Sequence, residues 1–338
     1  MKKIIAANAF VVWILGLVVF AWAFPALGGS ESFIPVSLLR KIGVFIIFFN
    51  QGVQLPGEAL KKGVLEWRLH VLVQVCTFVL FPLIVGSALW ATSSVFDQPD
   101  LRLGFFYLAF IPTTVTSAVA LTSVAEGNVT GALFNCTLSS MIGVFLVPFL
   151  CVTFLGAGGA DGQVSLWPLL LSIATTILLP MILGQLLRPV LRDLFGRHKV
   201  LLRRFNNGVI LFIVWSAFCQ SFLRDVWRQI DGVDFVMTLF GVLALLFVVS
   251  GCVWKISGWV GLKVESRIPA FFCGGQKTLA MGLPMAVLLF EEVPEIEISL
   301  VLIPLLIYHP AQLVLGGIVA PKFRNAVCAI PPGSNEVS

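Results

Sequence analysis

The chain has 338 residues, of which 58% are hydrophobic and 12% charged, with a mean hydropathy of +1.00. A soluble domain carries about 25% charge, so a water-soluble fold is excluded. The net charge of +5 does not indicate nucleic acid. The basic residues gather in short segments between apolar runs, where membrane orientation alone requires them.

Ten apolar runs follow one another, at about 4–24, 36–55, 69–90, 103–125, 131–154, 166–187, 206–223, 235–256, 268–290 and 298–320. They predict an all-α polytopic membrane protein of ten transmembrane helices, with the lipid bilayer as its partner and no soluble domain between spans. The first run is led by Met1-Lys2-Lys3 and lacks a small-residue cleavage site, so it reads as a retained helix. Span two ends Asn50-Gln51-Gly52-Val53-Gln54, and span three carries Gln74 and Thr77. Span four, Leu103 to Val124, is interrupted by Pro112 and the polar run Thr113, Thr114, Thr116, Ser117. Span five places Asn135 and Ser139 four residues apart, on one helix face. Span nine, Ile268 to Phe290, is interrupted by Gly274-Gly275 and then Gln276, Lys277, Thr278. Span ten carries Tyr308-His309-Pro310-Ala311-Gln312. The seven cysteines are odd in number and without metal-ligand spacing; most lie within spans, as small apolar residues.

Each break lies about 10 residues into its span, or about 15 Å, near the midplane of a hydrocarbon core about 30 Å thick. Backbone is not left open at that depth unless it lines an enclosed or wet cavity. Two interrupted segments in matching positions of two halves point to a transporter's binding site.

With a cytoplasmic N-terminus, sixteen Lys and Arg residues fall inside, from Lys2 to Arg324, against Arg40, Lys41, Arg102, Arg224 and Arg228 outside. Both termini are then cytoplasmic, and the acidic cluster Glu291, Glu292, Glu295, Glu297 is external. The two halves correspond with a shift of about 160 residues: Pro112 answers Gly274-Gly275, and Pro148 answers Pro304. Each half has five spans, so the halves insert with opposite orientation. The expected units are a first five-helix repeat over 1–160, an inverted second repeat over 161–325 and a cytoplasmic tail over 326–338. The longest inner link, Leu187 to Phe205, joins the halves.

The second half of spans four and nine would each begin near the midplane, presenting free N–H groups and a positive dipole end. Facing helix N-termini in a low-dielectric cavity suit an anion, and Lys277 adds a full charge there. A lysine at that depth costs about 2.5–3.5 kcal/mol on insertion scales, which favours a functional role; the plain alternative is a lysine that snorkels or caps a carbonyl. Thr113, Thr114, Thr116, Ser117, Asn135, Ser139, Gln276 and Thr278 are the polar candidates around it. His309 titrates near physiological pH and shares a helix face with Gln312, so it is a candidate proton carrier; the alternative is a core histidine bonded to a carbonyl freed by Pro310. Gln74 is a further candidate in coupling. No nucleophile elbow, zinc-protease helix or P-loop occurs, so neither an enzyme nor a nucleotide-driven pump is read here. No cofactor is expected, sodium or protons being the candidate coupling ions, and no metal ligands are assigned.

Taken together, Pro112-Thr-Thr-Val-Thr-Ser, Glu126 to Asn135 with Ser139, Cys273-Gly-Gly-Gln-Lys-Thr-Leu-Ala, Tyr308-His-Pro-Ala-Gln312 and Gly63 to His70 resemble the SBF-like branch of the bile-acid:sodium symporter family. The resemblance implies two inverted five-helix repeats, a panel of spans one, two, six and seven, and a core in which spans four and nine break and cross. It also implies a sodium-ligating Glu four residues before Gln276, where this chain has Phe272; a neutral amide where it has Lys277; and a Ser-Asn pair where it has Ser117-Ala118. The resulting expectation is a secondary transporter of a small or medium organic anion in the plasma (bacterial inner) membrane, with at most one sodium site. The alternatives are a membrane receptor or regulator that keeps the fold without turnover, and an ion channel, for which the sequence lacks polar stripes along several spans.

Overall fold

The computed structural model describes residues 2–29, 35–54, 66–157, 166–290, 293 and 295–328. Twelve helices and no strand occur among them: α1 (Lys2–Ala23), α2 (Val36–Gln54), α3 (Trp67–Ala91), α4 (Pro99–Phe110), α5 (Val115–Val124), α6 (Val129–Ala157), α7 (Leu166–Arg197), α8 (Lys199–Leu223), α9 (Gly232–Trp259), α10 (Val264–Gly275), α11 (Leu279–Phe290) and α12 (Ile298–Cys328). Lys61, Lys62, Glu291, Glu292 and the last ten residues of the expected tail lie outside the described residues.

Among the described residues six helices, α2, α3, α6, α8, α9 and α12, are long and apolar enough to cross a bilayer, and α4 with α5 forms a seventh candidate bent by 57° at its break. By length and composition this is fewer than the ten expected spans. One reason is local: α10 and α11 have 12 residues each, short of the about 20 of an unbroken span. The link expected between Leu187 and Phe205 is itself helical, α7 running to Arg197 and α8 starting at Lys199. Its charged residues carry both helices on beyond their apolar parts.

Helix α3 holds a feature the sequence reading did not foresee, a π-helical turn over Cys76–Leu80. Pro82 has no N–H to donate, and the Phe81 N–H bonds the Cys76 carbonyl, one residue further back than in an α-helix. The carbonyl of Thr77 is thereby left without a helical donor.

The helices pack in a fixed set of neighbours. Helix α2 lies along α7 and α1 along α8, while α2 also touches α8. The α2–α7 contact is backbone on backbone: a Cβ on Gly52 would lie 2.2 Å from the Met181 carbonyl oxygen, and one on Gly184 2.3 Å from that of Phe49. Small residues at such crossings are how helices approach closely in lipid. Helix α12 packs on α4, α5, α9 and α11, and α10 packs on α3, α5, α6 and α9. Tyr107, Tyr308, Phe81, Phe272 and Phe290 are fully buried there. Large apolar side chains such as Val19, Phe145, Phe247 and Ile318 stay on the outside, where lipid gives no drive to bury them.

Candidate functional site

Helix α4 stops because Pro112 cannot donate and restricts Ile111 to an extended conformation, φ −59° and ψ 138°. Helix α10 stops at Gly275, after which Gln276 is extended, φ −96° and ψ 149°. The two breaks touch: the Thr278 N–H donates to the Pro112 carbonyl at 2.9 Å, and the Ser117 hydroxyl donates to Gln276 Oε1 at 3.0 Å. Spans four and nine are thus joined at their interruptions by both main chain and side chain.

The backbone groups released by the breaks are paired by side chains from two helices, α6 and α12. The Thr113 N–H donates to Ser139 Oγ of α6 at 3.2 Å. The Lys277 N–H donates to Gln312 Oε1 at 2.7 Å, and Gln312 Nε2 donates to the Lys277 carbonyl at 2.8 Å. Tyr308 Oη donates to the Gly275 carbonyl at 2.6 Å. His309 Nδ1 lies 2.9 Å from Gln312 Nε2 and 3.3 Å from the Lys277 carbonyl. The Cys136 thiol reaches the Thr114 carbonyl at 3.4 Å and lies 3.5 Å from Cys273 Sγ.

Lys277 is fully buried. Its ammonium donates to three main-chain carbonyls, those of Ala109 at 2.7 Å, Ile111 at 2.9 Å and Thr77 at 3.1 Å, and sits 4.1 Å from the centre of the Phe81 ring. The carbonyl-capping arrangement is therefore the one observed. All three N–H bonds of the side chain are used within the protein.

Sequence reading placed Thr113, Thr114, Thr116, Ser117, Asn135, Ser139, Gln276, Lys277 and Thr278 in one region, with His309, Gln312 and Gln74 for coupling. The bonds above link Thr113 to Ser139, Ser117 to Gln276, and Lys277 to Gln312 and His309, and tie Thr278 to Pro112. Thr114 is the residue from which α5 starts, and the Cys136 thiol bonds its carbonyl. Thr116 is exposed on the first turn of α5. The Thr113 hydroxyl is buried with no hydrogen-bond partner among the described residues.

Asn135 and Gln74 form a separate cluster. Asn135 Nδ2 bonds the Gly131 carbonyl at 2.9 Å and lies 3.0 Å from His70 Nδ1, while Gln74 Nε2 reaches Asn135 Oδ1 at 3.3 Å. His70, whose ring lies tilted against Phe134 with centroids 4.0 Å apart, was not among the sequence candidates. Its signal was its four-residue spacing from Gln74, which puts both on one face of α3. Asn50 at the end of span two bonds Asn206 of α8 at 2.8 Å, away from the breaks. Phe272, at the expected sodium-ligand position, is buried against Phe271 and Phe323, and Ala118 is buried as well. Neither side chain offers an oxygen. No cluster of three or more His, Cys, Asp or Glu able to hold a metal occurs among the described residues.

Two helix breaks joined to each other inside a bundle of apolar helices fit a transporter, and residues 8–325 match the SBF-like CPA transporter family. The chain belongs to that family: it is a multi-pass membrane transporter and not an enzyme. It is 33% identical to the Putative symporter YfeH of Escherichia coli over 96% of this chain and 95% of that one. It is 32% identical to an uncharacterized protein of Pseudomonas aeruginosa, over 94% and 92%. Identity to Sodium/bile acid cotransporter 7 of Danio rerio is 29%, over 94% and 93%.

Proposed function

We propose that the protein is a secondary transporter that moves a small or medium organic anion across the plasma (bacterial inner) membrane by alternating access. The observation that carries this reading is the joined crossing. Helices α5 and α11 both begin at it, so two half-helix N-termini and their dipoles lie beside a buried lysine. Lys277 acts through its field, since its donors are taken, and the direct contacts fall to the first turns of α5 and α11. Thr114, Thr116, Ser117, Gln276, Thr278 and the unpartnered Thr113 hydroxyl shape that side of the site. Asn135 and Ser139 hold the helix behind it.

The finer architecture belongs to this proposal too: ten spans, two inverted repeats divided near residue 160, and both termini cytoplasmic. Its support is the neighbour pattern, since α1 pairs with α8 and α2 with α7, the exchange that an inverted repeat relating span one to six and two to seven demands. Those four helices would be the panel and the remaining spans the moving core. Relatives bear the names symporter and sodium/bile acid cotransporter, which fits an anionic substrate. For this chain we favour protons over a pair of sodium ions, with His309 as the carrier and Gln312 beside it, Gln74 acting from the separate Asn135 cluster, because Phe272 and Ala118 supply no cation ligand.

The test is a thermal-shift series on purified protein with a monocarboxylate, a dicarboxylate, an organosulfonate and a bile acid, each with and without sodium and at two pH values. The reading expects saturable stabilisation by at least one anion, lost in Gln276→Ala, with a pH dependence larger than the sodium dependence. Stabilisation by cationic or neutral solutes only would contradict it.

A further inference from the structure

We infer that the crossing contains a monovalent-cation site of main-chain carbonyls and that Lys277 fills it as a tethered cation. The carbonyls are released by backbone events independent of the lysine. Thr77 loses its helical donor to the π-turn and Pro82. The Ala109 carbonyl would receive the Thr113 N–H in a continuing helix, but that N–H bonds Ser139 instead. Ile111 lies past the end of α4.

Three oxygens so released converge on one point, with Nζ 2.7, 2.9 and 3.1 Å away, and the face of Phe81 closes another side at 4.1 Å. Three acceptors match the three N–H bonds of an ammonium, with none left over. The bonded partners include no carboxylate, so the charge is held by dipoles alone. The C-terminus of α4 and the carbonyl freed at the π-turn of α3 supply them. Groups of backbone carbonyls that replace a hydration shell are how proteins hold a dehydrated alkali cation. A ring face added to them suits a primary ammonium or an alkali ion better than a divalent one. Empty, the site would leave three buried acceptors unpaired, which is costly.

Two consequences follow. The wild-type protein needs no free cation here, and removing the side chain should create a site that takes one. Lys277→Ala deletes a propylammonium fragment, so propylammonium, sodium and potassium chlorides are the probes, with tetramethylammonium chloride, which has no N–H, as the control at equal ionic strength. Melting is followed in detergent without substrate, so the outcome is independent of the anion proposed above. The variant is expected to melt roughly 5–10 °C below wild type. It should recover most of that loss saturably with propylammonium or an alkali ion and none with tetramethylammonium, while wild type responds equally to all four salts.

A wild type stabilised by sodium or potassium beyond the control would overturn the inference, as would an Ala variant indifferent to which cation is present. If the Ala variant does not fold, the charge-keeping Lys277→Arg is compared with the similar-sized, uncharged Lys277→Met. Folding of the first but not the second supports the tethered cation, and a Met variant that melts with wild type overturns it. If neither folds, the wild-type salt series decides alone: an equal response supports the inference and a specific one overturns it.

Discussion

At the scale of single residues, the crossing depends on side chains that hydrogen-bond main chain. Gln312 is the clearest case, because one amide holds both the N–H and the carbonyl of Lys277 and is itself buried. Gln312→Leu removes the partner of the buried Lys277 N–H and the nearer partner of its carbonyl, which keeps only His309 Nδ1 at 3.3 Å, at about 1–3 kcal/mol each. The expected result is a loss of about 2–6 kcal/mol in unfolding free energy in detergent; an unchanged unfolding midpoint would show that another group takes over the pairing. Gln312 and Lys277 were legible in the sequence because amides and charges are rare in apolar spans. The carbonyl partners of Lys277 were not, since every residue has a carbonyl and only its neighbours decide whether it is free. Pro82 was the available clue, five residues beyond Thr77 in a helix. His70 escaped notice because it stands at the entrance to a span, where a polar residue needs no explanation.

At the scale of elements, the ends of the helices are tied by short polar clusters. On one end Glu66, just before α3, accepts from Asn128 Nδ2 at 2.6 Å and from the Ser266 hydroxyl at 2.7 Å. It thereby fastens α3 to the starts of α6 and α10. On the other end the Glu297 N–H donates to Asp100 Oδ2 at 3.2 Å, and Arg224 pairs with Glu297 at 3.5 Å. Burial pushes the Asp100 carboxyl up to about 6; the bond from the Glu297 N–H opposes this, and the nearby Glu297 carboxylate adds to it. Burial also raises Glu297, against the pull of Arg224 and of its bonds to Ser299.

An acid whose folded value is raised binds more protons folded than unfolded between the two values. Its contribution to stability is therefore full below about 4 and is lost as pH rises through about 6. Asp100→Asn keeps an oxygen for the Glu297 N–H and removes the charge. We expect it to melt above wild type at pH 7 and level with it at pH 4. A variant less stable than wild type at pH 7 would show that the carboxylate is needed there as an anion. The two breaks could be read from Pro112 and Gly274-Gly275, because each residue acts on its own backbone. The helical link between α7 and α8 could not, since basic residues that mark a cytoplasmic segment also form good helix.

At the scale of the whole molecule, membership of a transporter family was legible from the placing of the motifs, and orientation was inferred from the Lys and Arg bias. The substrate was not legible, for a physical reason. Most of the polar groups at the crossing bond the protein's own backbone, so their identities report the folding of two broken helices more than the shape of a ligand. What remains distinctive is charge: a buried ammonium and two helix N-termini, with Phe272 where an oxygen ligand would be expected. The account rests on that balance. Its most direct test is counterflow in proteoliposomes preloaded with whichever anion stabilises the purified protein, run under separate sodium and pH gradients. The account predicts saturable exchange of the labelled anion that follows the pH gradient and is lost in Gln276→Ala. Saturable stabilisation by the anion with no counterflow, or exchange driven steeply by two sodium ions and indifferent to pH, would contradict it.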